Sequence, residues 1–194
     1  SAYNFGMAPT ITAWDTAGES QTLTVQGGGV VISNKSAAAS DVKVNSTDVE
    51  LMKVGIKANV DTVQIQKMTL SLATVKQTSG GDDYGTYLDA DNDAAYDTGE
   101  TLLIKNIKIK DADTNQTLGS AKAITDATNW ASGDVDVTLN FTYDDYFSVS
   151  KGTTRNVKVV ADVDSNQISN VTYQATLNFN TASFTVKDSN DTAI

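Results

Sequence analysis

Apolar residues recur at every second position through much of the chain, the period of a strand with one face toward a core and the other toward water. Val54, Ile56 and Ala58 alternate with Lys53, Gly55 and Lys57. Val63 and Ile65 open a further run on one parity, whereas Met68, Leu70 and Leu72 continue it on the other. That loss of phase predicts a β-bulge between Ile65 and Met68. Ile107 and Ile109 alternate with Asn106, Lys108 and Lys110. Farther on, Val135, Val137, Leu139 and Phe141 share one side, as do Val157, Val159, Ala161 and Val163, and then Val171, Tyr173, Ala175, Leu177 and Phe179. Phe184 and Val186 mark a short last strand, and residues 21–25 and 30–33 mark two early ones about a glycine turn at 26–29. Sheets built from such strands bury their apolar faces against each other, so the expected fold is an all-β sandwich, Ig-like or jelly-roll-like.

The pattern weakens in three places. Residues 1–20 alternate poorly and contain Pro9, which cannot donate a ladder hydrogen bond; they are expected to form an edge strand or arm ahead of one domain at 21–194. Residues 34–46 are polar around Ala37, Ala38 and Ala39, with flanks too short to sustain a helix. Residues 116–132 give no clear period and are expected to hold a short helix or an irregular crossover. Just before them, Asp111-Ala112-Asp113-Thr114-Asn115 begins like a metal loop but has no later acid, and reads as a turn.

The most specific chemistry lies at 89–100. Asp89, Asp91, Asp93, Asp97 and Glu100 occupy positions one, three, five, nine and twelve of an EF-hand loop, the spacing that wraps one calcium ion in oxygen ligands. The three leading aspartates would each give a carboxylate oxygen, Ala95 its backbone carbonyl, Asp97 an oxygen directly or through water, and Glu100 both carboxylate oxygens. Without a cation these like charges would repel one another. Ala94 stands where glycine is usual, at a cost of roughly 1 kcal/mol for the turn, which points to weaker binding. Helix formers are missing on both sides, so calcium is expected to brace a loop of a β domain, without the opening helices of a sensor.

Composition narrows the alternatives. A formal charge of −10 and a pI near 4.3 argue against nucleic acid or an anionic membrane as partner. With neither cysteine nor histidine, disulfides, thiolate chemistry and the usual nucleophile–imidazole pairs are ruled out. The run Gly27-Gly28-Gly29 lacks the Gly-Lys-Ser/Thr and helix of a phosphate loop. Neighbouring acids Asp82-Asp83 and Asp144-Asp145 do not make a catalytic pair, because successive strand residues point to opposite faces. No enzyme activity is expected. Trp14, Trp130, Tyr143, Tyr146 and Phe147 could form a sugar platform, but core filling is the commoner use of such rings. Asn-x-Ser/Thr triplets begin at Asn34, Asn45, Asn115, Asn140, Asn170 and Asn190, all at turns, ends or polar faces where glycans could be carried. A cleaved leader would explain the Ser1-Ala2 start, and no apolar run is long enough to cross a membrane.

Taken in order, residues 42–44 leading into 50–72, the acidic segment Tyr87-Leu88-Asp89-Ala90-Asp91-Asn92-Asp93 with Asp97-Thr98-Gly99-Glu100, and 147–163 with its Lys151-Gly152-Thr153 turn resemble modules of secreted prokaryotic surface-layer and extracellular-filament proteins. The resemblance covers roughly residues 42–163. It implies a β-sandwich, a structural calcium site, an extracellular or cell-surface location and a homopolymer of identical subunits. It also implies donor-strand exchange, for which residues 3–13 are the candidate strand. A filament or pilus-like thread is the leading expectation, with a carbohydrate-binding or adhesive module and a surface-layer module as alternatives.

Overall fold

A computed structural model describes residues 29–38, 40–76, 87–88, 101–123, 135–166, 171–179 and 183–194. These residues form an all-β structure with no helix among them. The strands are β1 (Val30–Asn34), β2 (Val49–Ala58), β3 (Val63–Lys76), β4 (Tyr87–Leu88), β5 (Thr101–Leu102), β6 (Ile104–Asp111), β7 (Thr117–Lys122), β8 (Val135–Val149), β9 (Thr154–Val163), β10 (Val171–Asn178) and β11 (Phe184–Asp188).

Two antiparallel sheets carry the architecture, an arrangement consistent with a β-sandwich. One runs β1-β2-β9-β6-β7. In the other, β3 is the central strand, flanked by β8 along one side and by β10 and β11 end to end along the other. The inward residues of both sheets form one core: Met52, Val54 and Ile56 from β2, Val157, Val159 and Ala161 from β9, and Ile107 and Ile109 from β6 meet Leu70 and Leu72 from β3 and Phe141 from β8. Each fully buried aliphatic or aromatic side chain contributes about 1.5–3 kcal/mol, which makes this shared face the main source of cohesion.

The expected bulge is present. Val63, Ile65, Met68, Leu70 and Leu72 are all buried, and the register of β3 against both β8 and β11 shifts between Ile65 and Lys67. Gln66 is the extra residue relative to β11, where Ile65 pairs with Val186 and Lys67 with Thr185. It allows two runs of opposite parity to face one core.

Residues 117–122 correct the sequence reading. In place of a short helix or crossover they form β7, which pairs with β6 through Ile109↔Leu118 and Lys110↔Thr117. Only Leu118 of this strand packs against the core, so its own pattern carries no two-residue period. The 111–115 turn forms as expected: Asp111 Oδ1 accepts the backbone N–H groups of Asp113 (3.0 Å) and Thr114 (2.9 Å).

Candidate functional site

The proposed calcium ligands Asp89, Asp91, Asp93, Ala95, Asp97 and Glu100 lie outside the described residues, as do the candidate donor strand at 3–13, Trp14, Asp82, Asp83, Trp130 and Asn170. The frame on either side of the loop is described. Tyr87 pairs with Leu102 and Leu88 with Thr101 in an antiparallel ladder, so the segment 89–100 leaves and returns at one point. Leu102 packs against the core, while Leu103 and Ile104 are fully buried. The Leu103 carbonyl accepts the Asp164 N–H at 2.9 Å, tying the stem to the end of β9. Closing a loop before the ion arrives removes part of the ordering cost of assembling its ligands. Among the described residues there is no group of three or more His, Cys, Asp or Glu that could hold a metal ion.

Other candidates take ordinary places. Asn45, Asn115, Asn140 and Asn190 are exposed, and Asn34 is half-buried. Asn45 and Asn115 sit in left-handed turns, with φ of 58° and 61°. Asn140 accepts a 2.8 Å hydrogen bond from the Thr69 hydroxyl through its side-chain carbonyl. Tyr143 and Phe147 are core residues, 5.8 Å apart between ring centres, and offer no surface platform. At the Lys151-Gly152-Thr153 turn Gly152 has φ of 76°, and the Gly152 N–H donates to the Ala58 carbonyl at 2.7 Å. Among the described residues no helix is long and apolar enough to cross a membrane.

A charged arrangement that sequence reasoning missed occupies the outer face of the five-stranded sheet. The core positions of β2, β9 and β6 are fixed by Met52 and Val54, Val157 and Val159, and Ile109. Strand alternation then turns Lys53, Lys158 and Lys110 to the outer side, where Lys53 and Lys158 are half-buried and Lys110 is buried. Register sets them in line: Lys53 pairs with Lys158, and Lys158 with Lys110. Lys35 extends the line beyond β1, its N–H donating to the Lys53 carbonyl at 2.9 Å. The next row toward the strands' other end is Ser33, Gly55 and Asn156, again in register. A Cβ on Gly55 would lie 2.8 Å from the Ser33 hydroxyl and 3.3 Å from the Asn156 side-chain oxygen, so this row is low, polar and closely packed.

Carboxylates gather at one end of the same face. Asp48, just before β2, takes Lys108 Nζ on Oδ1 at 3.0 Å and Lys110 Nζ on Oδ2. Both lysines belong to β6, and β9 runs between the two strands, so the bridge passes over the outer side of β9. There Val160, in register between Glu50 and Lys108, is fully buried. Lys110 and then Lys108 hold the Asp48 carboxyl below its usual range. Asp162 accepts the Asp48 N–H at 2.9 Å and the Asn106 amide at 2.7 Å. Lys105 binds Asp164 at 2.6 Å and lowers its carboxyl likewise.

Asp111 has a different role. Burial pushes its carboxyl up, but the Thr114 N–H, the Arg155 guanidinium and the Asp113 N–H more than offset this and hold it at about 2. No family model, curated protein or solved structure matches the chain. The lysine row escapes sequence reading because it exists only once strand register is known. The signal available was a lysine at each outward position beside Met52, Val157 and Ile109.

Proposed function

We propose that the chain is a structural subunit of a secreted extracellular filament or pilus-like thread, a calcium-braced β-sandwich that assembles by strand pairing and performs no catalysis. The observation that carries this reading is the β4–β5 stem, which closes the acidic segment 89–100 at its base and roots it through Leu103 and Ile104. A closed loop with five acids at EF-hand spacing is suited to hold calcium as a brace. Bound to the folded state alone, the ion would stabilise it by mass action.

The strand order supports assembly by pairing. β1 is a five-residue strand at the end of the described order, and such an edge is a template for a strand from another subunit. Residues 3–13 would supply that strand in a homopolymer of identical subunits, with glycans at the exposed sequons shielding the surface.

Electron microscopy of the purified protein, with calcium and with a chelator, tests the reading. Regular fibres in calcium that shorten or disappear on chelation are expected. Dispersed monomers under both conditions would overturn the filament. Polymerisation that persists after deletion of the first 14 residues would overturn the donor-strand step alone.

A further inference from the structure

We propose that the outer face of the five-stranded sheet binds a linear acidic polysaccharide, laid across the strands along the row Lys35, Lys53 and Lys158. This goes beyond the filament reading and does not depend on it.

Like charges directly opposite each other on paired strands destabilise a sheet. Here two successive pairings, Lys53↔Lys158 and Lys158↔Lys110, set lysine against lysine. Of these residues only Lys110 has an anionic partner, Asp48; among the described residues Lys35, Lys53 and Lys158 make no ion pair. Three lysines with no ion-pair partner among the described residues thus stand on one line of a chain whose formal charge is −10, while Lys110 at its end is buried and held by Asp48. Adjacent strands stand about 4.8 Å apart, so the backbone positions of Lys35, Lys53 and Lys158 span about 10 Å. A linear polymer with regularly spaced carboxylates or sulfates matches that geometry.

The neighbouring row supplies the other half of saccharide recognition. Half-buried Ser33 and Asn156 place a hydroxyl, which donates to the Gly55 carbonyl at 3.4 Å, and an amide on either side of the buried Gly55. Sugar hydroxyls can exchange hydrogen bonds with such groups. The general repulsion between an acidic protein and a polyanion is screened beyond about 8–10 Å at physiological salt, so the local row decides contact.

A second copy of this chain fits less well. Among its described carboxylates, Asp48, Asp61, Asp111, Asp162, Asp164 and Asp188 are already engaged by nearby donors, and the exposed Asp41, Glu50 and Asp113 stand on three separate segments. Nucleic acid is disfavoured because no aromatic side chain stands among the outward residues of β2 and β9 to stack a base.

The test is calorimetric titration of the full chain with polygalacturonate, sulfated dextran, neutral dextran and oligothymidylate at several salt concentrations. Wild type should bind the two acidic polysaccharides with an affinity that falls as salt rises, and should ignore neutral dextran. Loss of two contacts in K53Q/K158Q should weaken binding by about tenfold or more. Its melting temperature should equal or exceed that of wild type, because opposed cations are removed. K122Q/K151Q, with the same change in net charge away from the row, should bind as wild type does. K35Q, altered at the exposed end of the row, should give a smaller loss and serves as the readout if the double variant fails to fold. Absence of polyanion binding by wild type, or equal binding by the row variants, would overturn the proposal. Tighter binding of oligothymidylate would assign the face to nucleic acid, and self-association abolished in K53Q/K158Q would assign it to a second copy; either overturns it. Fibres without polysaccharide binding would leave the filament reading standing alone, and binding without fibres the reverse.

Discussion

Arg155 donates from Nε to Asp111 Oδ2 at 2.7 Å while its guanidinium carbon lies 4.6 Å from the centre of the Phe147 ring. Its Nη1 also donates to the Ser148 carbonyl at 3.0 Å. Arg155 and Asp111 belong to one sheet, and Phe147 and Ser148 to the other. One planar cation therefore ties the two layers at the mouth of the core, using the fork and the flat face that lysine lacks. Replacing Asp111 with alanine removes the Arg155 partner and two turn hydrogen bonds together, and should cost about 3 kcal/mol. Asp111→Asn keeps an acceptor for the turn and should cost about half of that. Urea unfolding of the two variants beside wild type measures both, and equal losses would show that the turn contributes nothing separate.

Acid should act through the same carboxylate. The folded-state pKa of Asp111 is depressed from 3.8 to about 2, so its contribution is fully present above pH 4 and is lost as pH falls toward 2. Allowing for solvent screening at the partly exposed Arg155, that contribution is about 1–2 kcal/mol. Asp48 and Asp164, also lowered, lose their contributions in the acid range as well. Stability measured between pH 5 and 2 should therefore fall less steeply in Asp111→Asn than in wild type, and parallel curves would refute the assignment.

Strand β3 makes an uncommon prediction about deletions. Removing one residue from a strand normally turns every later side chain to the wrong face. Removing Gln66 should not, because Ile65 would join Lys67 and the inward set Val63, Ile65, Met68, Leu70 and Leu72 would become strictly alternate. The Gln66 deletion should fold and lose about 1–2 kcal/mol through altered twist, whereas deletion of Thr69 should abolish the cooperative thermal transition. Similar melting of the two deletions would show that β3 does not depend on the bulge for its phase.

What could be read from the chain followed from local periodicity. The phase change at Ile65 and Met68 was legible because it is written in five neighbouring apolar residues. Strand β7 was not, since Thr117–Lys122 is held by pairing with β6 and presents only Leu118 to the core. Alternation alone puts Val160 on the outer side of β9, yet it is buried beneath a bridge from Asp48 to Lys108 and Lys110, partners about sixty positions away in sequence. The lysine row has the same origin: a slip of one residue in β9 would scatter it. The acidic spacing at 89–100 rests on the sequence alone, and the structure adds only the β4–β5 stem on either side of it.

The loop itself can be challenged through its one departure from the pattern. Ala94 occupies the sixth position of the EF-hand spacing, where a calcium loop of that type takes positive φ and an alanine would cost roughly 1 kcal/mol that glycine does not. Ala94→Gly should therefore bind calcium about fivefold more tightly, since 1.4 kcal/mol corresponds to tenfold. Glu100→Gln, which removes the bidentate charge at position twelve, should weaken binding far more. If calcium binds only the folded state, a concentration one hundred times the dissociation constant raises stability by about 2.7 kcal/mol. Melting curves across a calcium series should then shift upward in wild type, begin shifting at lower calcium in Ala94→Gly, and stay flat in Glu100→Gln. Identical curves for all three proteins would mean that the acids at 89–100 form a solvated turn, and the β4–β5 stem would then close a loop with no ion to hold.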